Sequence, residues 1–191
     1  MLILKKKYYF FVENTTKFNF NLIKIRKKFN IIYRNQINKE KIEDLIKFRK
    51  KCKKKGIDLY IANDTRLLSR LNADGLYISA HNKDLLLSIY SKKGYKIIGS
   101  AHNQREINIK RIQGCKVVIF SRLFETKYDY KKGHLGIQRF NIIYLRSLLE
   151  LVPLGGINEK NLFKLNSVKS ESFACLSGIK KKPANIINRL F

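Results

Sequence analysis

Short runs of apolar, β-prone residues alternate with amphipathic stretches along the whole chain, and no other feature restricts the fold as much. The runs are apolar on both faces, which is typical of parallel strands covered by helices. We predict eight strands, at Tyr8–Glu13, Phe29–Tyr33, Asp58–Ala62, Gly75–Ser79, Tyr95–Gly99, Lys116–Phe120, Leu151–Leu154 and Ser172–Leu176. Strands repeated at this spacing indicate a chain assembled from β-α units.

The stretches between the strands place apolar residues at helical spacing, with charged residues on the opposite side. The predicted helices are Lys39–Lys54, Asp84–Tyr90, Gln104–Ile112, Gln138–Leu149, Asn158–Leu165 and Lys180–Phe191. About eight β-α units favour an α/β fold of the compact single-domain (β/α)8 TIM barrel type, spanning residues 1–191. A doubly wound open sheet is the alternative. Because such barrels need about 200 residues or more, helices and loops must be short here.

The formal net charge of +27 is the most unusual bulk property of the chain. Lysines are spread over every predicted helix, which is typical of solvated faces, and some of them are expected to attract anionic ligands. We therefore do not expect a nucleic-acid partner despite the charge. The scattered cysteines Cys52, Cys115 and Cys175 predict neither disulfides nor a zinc site. No stretch is apolar enough to predict a membrane contact, so we expect a cytoplasmic protein; a homo-oligomer is compatible with the sequence.

Two predicted loops are rich in glycine at the end of the barrel where ligands bind. In parallel α/β folds this is the end at which the strands finish, and the loops after strands seven and eight often bind phosphate. Gly155-Gly156 follows the seventh strand and Ser177-Gly178 the eighth. Glycine lets backbone amides approach an anion, and a helix starting near Asn158 would point its N-terminus at the same place. A tight strand-to-helix turn is the other interpretation.

Polar residues also follow the second, third and fourth strands. Arg34 is placed to clamp a phosphate, or to lie on the surface. Asp64, with Asn63 beside it, is placed to bind a metal or to cap a helix, and the local sequence favours neither. His81, His102 and His134 lie in predicted loops, with no carboxylate partner evident from spacing, and are interpreted as solvated.

Taken in order, these residues form a recognisable series of motifs. Residues 58–82 (DLYIANDTRLLSRLNADGLYISAHN) are similar to the passage "IND…ADGVHLGQxD" of the thiamine-phosphate synthase/TenI family. Residues 97–101 (IIGSA), 123–126 (LFET), 154–157 (LGGI) and 176–179 (LSGI) resemble its later motifs. The resemblance runs from about Ile31 to the C-terminus and implies the same barrel.

Members of this family join a pyrimidine diphosphate to a thiazole phosphate with the help of Mg²⁺, releasing pyrophosphate. The resemblance implies that Arg34 and Asn63 hold the diphosphate and that Asp64 binds Mg²⁺, with Asn82 at the second metal position. It also implies a thiazole-phosphate site. The residues of that site are Thr126, Gly155, Gly156, Leu176, Ser177 and Gly178.

The chain departs from the family pattern mainly on the diphosphate side. The chain has Ile32 where the family has a glutamine, Gln36 where it has a lysine, and Asn82 where it has an aspartate. Ala101 stands for a serine unless Ser100 substitutes for it. Tyr128 and Asp129 stand for a threonine and a lysine, with Lys127, Lys131 and Lys132 as alternatives for the lysine. Arg122 occupies the position of a histidine that is important in TenI-type tautomerases. The sequence therefore favours a synthase-like transferase, and leaves a TenI-like tautomerase or salvage protein and a noncatalytic phosphate-ligand binder as alternatives.

Overall fold

A computed structural model describes residues 5–23, 28–35, 40–126 and 133–175 of the chain. Its parallel strands are β1 (Lys7–Val12), β2 (Phe29–Tyr33), β3 (Asp58–Ala62), β4 (Gly75–Ile78), β5 (Lys96–Ala101), β6 (Val117–Ser121), β7 (Glu150–Leu154) and β8 (Ser172–Cys175). Its α-helices are α1 (Ile42–Lys54), α2 (Thr65–Arg70), α3 (Ile89–Lys92), α4 (Gln104–Ile112) and α5 (Gly136–Arg146). Short 3₁₀ helices span Phe20–Leu22, Leu85–Ser88 and Leu162–Ser167.

The strands form a nearly closed barrel. The strands are hydrogen-bonded in the order β7-β6-β5-β4-β3-β2-β1-β8. From β1 to β7, each strand therefore pairs with the next one in the chain, and the last strand, β8, pairs with the first, β1. The two edge strands face each other, because Ser172 Oγ in β8 donates to Glu150 Oε1 in β7 over 2.8 Å. A doubly wound sheet would instead reverse its strand order near the middle. The TIM barrel prediction is thus confirmed, and the open-sheet alternative is wrong.

Burial on both faces explains why the strands are apolar throughout. Alternate residues point into the barrel, among them Tyr9, Phe11 and Tyr77, while the residues between them pack under the helices. Both sets are almost fully buried. The period-two pattern of a half-exposed strand is therefore missing from the sequence.

The predicted strands agree with the structure at Phe29–Tyr33 and Asp58–Ala62 and lie within one or two residues elsewhere. The predicted helix Asn158–Leu165 is wrong, because this segment consists of turns followed by the 3₁₀ helix Leu162–Ser167. The amides of Asn158 and Asn161 both donate to Gly156 O, at 3.0 and 2.7 Å. Such side-chain bonds compete with helical backbone pairing, so no α-helix begins directly after the glycines.

Two further predicted helices need comment. Asp84–Tyr90 is split into a 3₁₀ turn and the short α3, with Asp84 as the N-cap of the 3₁₀ turn. Lys180–Phe191 lies outside the described residues. Within the part of the chain that the structure describes, no helix has the length and apolarity required to span a membrane.

Candidate active site at the carboxyl ends of the strands

The residues predicted from the sequence come together at the mouth of the barrel in two groups. Arg34, Asn63, Asp64 and Asn82 follow β2, β3 and β4, and we call them, with the 79–84 loop, the β2–β4 half. Arg122, Thr126, Gly155 and Gly156 follow β6 and β7 and form the β6–β7 half. Since β2 and β6 are four strands apart in the eight-stranded order, the two halves face each other across the mouth. Leu176, Ser177 and Gly178 lie outside the described residues, as do Gln36 and residues 127–132.

Arg34 is held at the inner wall of the mouth. Its backbone N–H donates to Val12 O over 2.9 Å, and its guanidinium carbon lies 5.2 Å from the centroid of the Phe11 ring. The guanidinium also donates to the hydroxyl of Tyr77. An arginine stacked on a ring in this way gives up little conformational freedom when it binds a planar or tetrahedral oxyanion. The surface interpretation of Arg34 therefore does not fit its contacts.

Tyr77 links this arginine to β5. Its ring packs edge-on against Phe11 with centroids 5.4 Å apart, and its hydroxyl is hydrogen-bonded to Ser100. Burial raises the pKa of Tyr77, more than its bonds to Ser100 and Arg34 lower it, so the phenol stays neutral. Ser100 alternates with Ala101, which packs on the helix side. Ser100 is therefore the hydroxyl that β5 presents to the interior.

Asn63 ties the end of β3 to the loop after β4. Its φ of 54° lies in the left-handed region, which asparagine tolerates better than most residues. Its Oδ1 accepts from Ser79 N at 3.1 Å and from Asn82 Nδ2 at 3.3 Å, while its own Nδ2 donates to Ser79 Oγ at 3.0 Å. The side chain is thus an organising group of the β2–β4 half, lying beside Asp64.

Asp64 caps a helix. Its Oδ1 accepts from Leu67 N over 2.8 Å at the start of α2. Among the described residues, hydrogen bonds engage one of its carboxylate oxygens, which leaves the other for a cation. Mg²⁺ is commonly bound by one or two carboxylates together with phosphate oxygens, so Asp64 fits the ion that the family resemblance implies.

Asn82 is a weaker match to that ion. Its Oδ1 accepts from Asp84 N over 3.0 Å, and its Nδ2 donates to Asn63. The described residues contain no group of three or more His, Cys, Asp or Glu side chains that could hold a metal.

Two residues that sequence reasoning missed lie beneath this loop. Lys110 of α4 and Gln113, which directly follows that helix, are completely buried and hydrogen-bonded to the backbone of residues 79–84. Burial lowers the pKa of Lys110 to about 8, against smaller raising effects of Cys115 and Glu106. One signal could have revealed Lys110: it lies three residues after Ile107, on the face of α4 that packs inward.

The β6–β7 half is formed mainly by backbone. Arg122 Nη1 donates to Thr126 Oγ1 over 2.9 Å, which places a guanidinium at the end of β6. The β6 loop is bonded to the β7 end through Leu123 N to Leu154 O at 2.9 Å and Phe124 N to Gly155 O at 3.0 Å. The two loops therefore form one unit.

Both glycines of this unit are required sterically. Gly155 has a φ of 101° and Gly156 a φ of 68°, in the range that disfavours side chains. A Cβ at Gly155 would lie 3.1 Å from Cβ of Arg122. A Cβ at Gly156 would overlap the carbonyl of Glu125 and lie 2.6 Å from Phe124 O. The close approach of the two loops is the reason for the glycine pair.

One histidine has the acidic partner that its spacing did not reveal. Glu106 Oε2 accepts from the backbone N–H of His102 at 2.7 Å and lies 3.0 Å from its Nδ1. Desolvation raises the pKa of Glu106, but the bonds from His102 and Asn103 together lower it below its usual value. The ring of His81 lies 6.4 Å from that of His102. The prediction of a histidine without a carboxylate is therefore wrong for His102.

Comparison with known proteins gives a consistent result. A family model described as thiamine monophosphate synthase matches residues 3–179. A thiamine-phosphate synthase of Pelagibacter ubique is 30% identical over 169 residues, covering 85% of this chain and 81% of that protein. One of Prochlorococcus marinus is 31% identical over 125 residues, covering 63% of this chain and 36% of that protein.

The fold comparison points the same way. The solved structure of a thiamine phosphate pyrophosphorylase from Pyrococcus furiosus superposes with a TM-score of 0.71 at 13% identity. The superposition covers 98% of this chain and 96% of that one. At this identity the likeness concerns the fold.

Proposed function

The chain belongs to the thiamine monophosphate synthase family, and from this premise we propose that it joins a pyrimidine diphosphate to a thiazole phosphate and releases pyrophosphate. The observation that carries the proposal is the presence of two guanidinium groups on opposite sides of one barrel mouth. Arg34 lies on Phe11 in the β2–β4 half, and Arg122 is bonded to Thr126 in the β6–β7 half. A reaction between two phosphorylated molecules needs two anion sites that face each other.

In the β2–β4 half, Arg34 and Asn63 would hold the diphosphate. Negative charge grows on the pyrophosphate as it leaves, so fixed donors at this point lower the barrier more than they strengthen ground-state binding. Asp64 would hold Mg²⁺ through its second carboxylate oxygen, and the ion would supply further positive charge to the leaving group. The neutral Tyr77 keeps Arg34 aimed at that position.

In the β6–β7 half, Thr126 and the Gly155-Gly156 turn would hold the thiazole phosphate. Arg122 adds a charge-assisted contact that a histidine at this position would supply only when protonated. Leu176, Ser177 and Gly178 are proposed for the same phosphate on the family resemblance. We assign the reaction to the cytoplasm, where phosphorylated intermediates are retained.

A second function is favoured by a specific contrast in the site. In the described residues, the β6–β7 half has the close-packed glycine pair, whereas the β2–β4 half has Asn82 at the position that the resemblance gives to the family's second metal carboxylate. A TenI-like protein that handles a thiazole phosphate, or a binder of that phosphate, requires the β6–β7 half only. Each charge-assisted contact missing from the diphosphate side costs about 1.5–3 kcal/mol.

The deciding experiment is thiamine phosphate formation from the pyrimidine diphosphate, the thiazole phosphate and Mg²⁺, comparing wild type with Asp64→Asn. Asparagine is as good an N-cap as aspartate, so this variant removes the charge and keeps α2. Asp84→Asn is the matched control, since Asp84 caps a 3₁₀ helix in the same half and accepts from Leu86 N over 2.9 Å. Turnover that falls at least about 100-fold in Asp64→Asn but not in the control supports the synthase. Thiazole phosphate binding without any turnover would instead support the TenI-like function.

A further inference from the structure

A buried lysine and glutamine hold the 79–84 loop from beneath. The ammonium of Lys110 donates to Ser79 O and Asn82 O at 2.7 Å each and to Gln113 Oε1 at 2.8 Å. Gln113 Nε2 donates to Asn82 O at 3.1 Å and to Asp84 O at 2.9 Å. The three protons of the ammonium therefore have three acceptors, and two of these are carbonyls of the loop.

The barrel makes room for this lysine at a defined place. A Cβ on Gly99 of β5 would lie 2.7 Å from Cδ and 2.9 Å from Cγ of Lys110. The stem of the lysine thus occupies the space that a side chain on β5 would fill. Since burying a cation costs free energy unless it is fully hydrogen-bonded, the loop carbonyls and Gln113 are what make the position tolerable.

The held loop carries side chains of the β2–β4 half. Ser79 and Asn82 contact Asn63 through three hydrogen bonds, and Asn63 precedes Asp64 directly. A continuous series of bonds thus leads from the buried ammonium through the loop backbone to the groups proposed for the diphosphate. No step in this series passes through the β6–β7 half.

We propose that Lys110, supported by Gln113, is a positioning residue for the diphosphate: it fixes the 79–84 loop and so aligns Ser79, Asn82 and Asn63 for the diphosphate and its metal. This inference rests on the proposed function. Lys110 acts through the loop and does not itself touch the substrate. Loss of its bonds leaves Ser79 O with Asn82 N and Asn82 O with Gln113 Nε2 as donors, and it leaves the buried Gln113 Oε1 without the ammonium. The loop is then held at fewer points.

The test compares Lys110→Met with wild type. Methionine keeps an unbranched stem of similar length and removes all three donors. Lys116→Met is the matched control, because it removes the same charge from an exposed position at the opposite end of the barrel. Affinity for pyrophosphate with Mg²⁺ and for the thiazole phosphate is measured by calorimetry at neutral pH, and amide exchange is followed in residues 79–84.

We expect Lys110→Met to weaken pyrophosphate binding at least about tenfold, because misplaced groups lose much of their effect. Thiazole phosphate binding should stay within about twofold, and exchange at Ser79 N should rise. Pyrophosphate binding unchanged in a folded Lys110→Met overturns the inference alone. Wild type that binds no pyrophosphate overturns the proposed function, and the inference with it.

A second variant covers the case in which Lys110→Met does not fold. Gln113→Met keeps the ammonium and removes both amide donors to Asn82 O and Asp84 O. We expect a smaller loss of pyrophosphate affinity, about threefold to tenfold, with thiazole phosphate binding retained. Equal affinity of this variant and wild type for pyrophosphate would likewise contradict the proposal.

Discussion

The two halves of the barrel mouth are built by different means. In the β6–β7 half, two loops bond to each other through backbone, and Gly155 and Gly156 let them approach. In the β2–β4 half, side chains do this work: Asn63 bonds the end of β3 to the next loop, and Lys110 supports that loop from below. Backbone fixes the first arrangement and side-chain chemistry the second.

This difference explains how the chain tolerates one departure from the family pattern, Asn82. A side chain on Gly156 would collide with the backbone of Glu125 and Phe124, so substitution there is resisted by sterics. An amide at Asn82, by contrast, is accommodated by hydrogen bonds to Asp84 and Asn63. A network of side chains can absorb a change of charge, whereas a close contact of two loops cannot absorb a methyl group.

The largest effect is expected from Gly156→Ala. The added Cβ meets two backbone carbonyls and forces a φ of 68° on alanine, so the two loops must separate. We expect thiazole phosphate affinity to fall at least about 100-fold and the free energy of unfolding to drop by about 3 kcal/mol or more. Calorimetry and chemical denaturation check both values.

Gly94→Ala separates backbone strain from collision. Gly94 has a φ of 87°, but a Cβ there meets nothing within 4 Å. We expect a loss of about 1–2 kcal/mol in stability and no change in ligand affinity. If Gly156→Ala lost no more stability and no more thiazole phosphate affinity than this control, the steric explanation of the β6–β7 half would be wrong.

The next largest effect is expected from Arg34→Lys. A lysine keeps the charge but loses both the stacking on Phe11 and the fork that binds an oxyanion at two points. We expect pyrophosphate affinity to fall about 10- to 100-fold while thiazole phosphate affinity stays unchanged. An equal loss for both ligands would show that the two halves do not act separately.

The fold was largely predictable from the sequence. Of the two halves of the site, the glycine pair of the β6–β7 half was easier to predict than the side-chain contacts of the β2–β4 half. The strands Phe29–Tyr33 and Asp58–Ala62 were predicted with their observed bounds, since apolar runs end there at polar turn residues. The glycine pair was visible at the end of a predicted strand, but the sequence did not show that it lies against the β6 loop. The α-helix predicted after the pair is wrong, since Asn158 and Asn161 bond the backbone of Gly156 instead.

The side-chain network of the β2–β4 half was beyond the reach of pattern reasoning. Alternate residues of a strand point into the barrel. When both faces are buried, both sets of residues are apolar, and the sequence does not show which set points inward. Tyr77 and Phe11 therefore gave no sign that they would hold Arg34. The spacing of Lys110 from Ile107 indicates its burial, but its partners are known only once the helix is placed against β5 and the 79–84 loop. Contacts between residues this far apart in the sequence are determined by the closed barrel and not by local patterns.

The smallest expected effect concerns pH, and it tests whether the loop after β5 also depends on side-chain pairs. Glu106 holds His102 at 2.7 Å through the backbone and 3.0 Å through the ring. Its pKa in the folded protein is below the ordinary value of 4.5, so the unfolded chain binds more protons in acid. Its contribution to stability is present above pH 4.5 and is lost as the pH falls through the lowered value.

We expect Glu106→Gln to cost a few tenths of a kcal/mol near neutral pH, because solvent screens a pair in which the His102 side chain is 46% exposed. The cost should shrink in acid, where the wild-type carboxylate is itself protonated. Denaturation of both proteins at several pH values below neutrality checks this convergence. Gly156→Ala, measured alongside, should show a constant loss, since a steric clash has no proton to bind. If the free energy of unfolding of Glu106→Gln and of wild type changed with pH in parallel, the carboxylate charge would not stabilise this loop. The dependence on side-chain pairs would then be limited to the β2–β4 half and would not extend to the loop after β5.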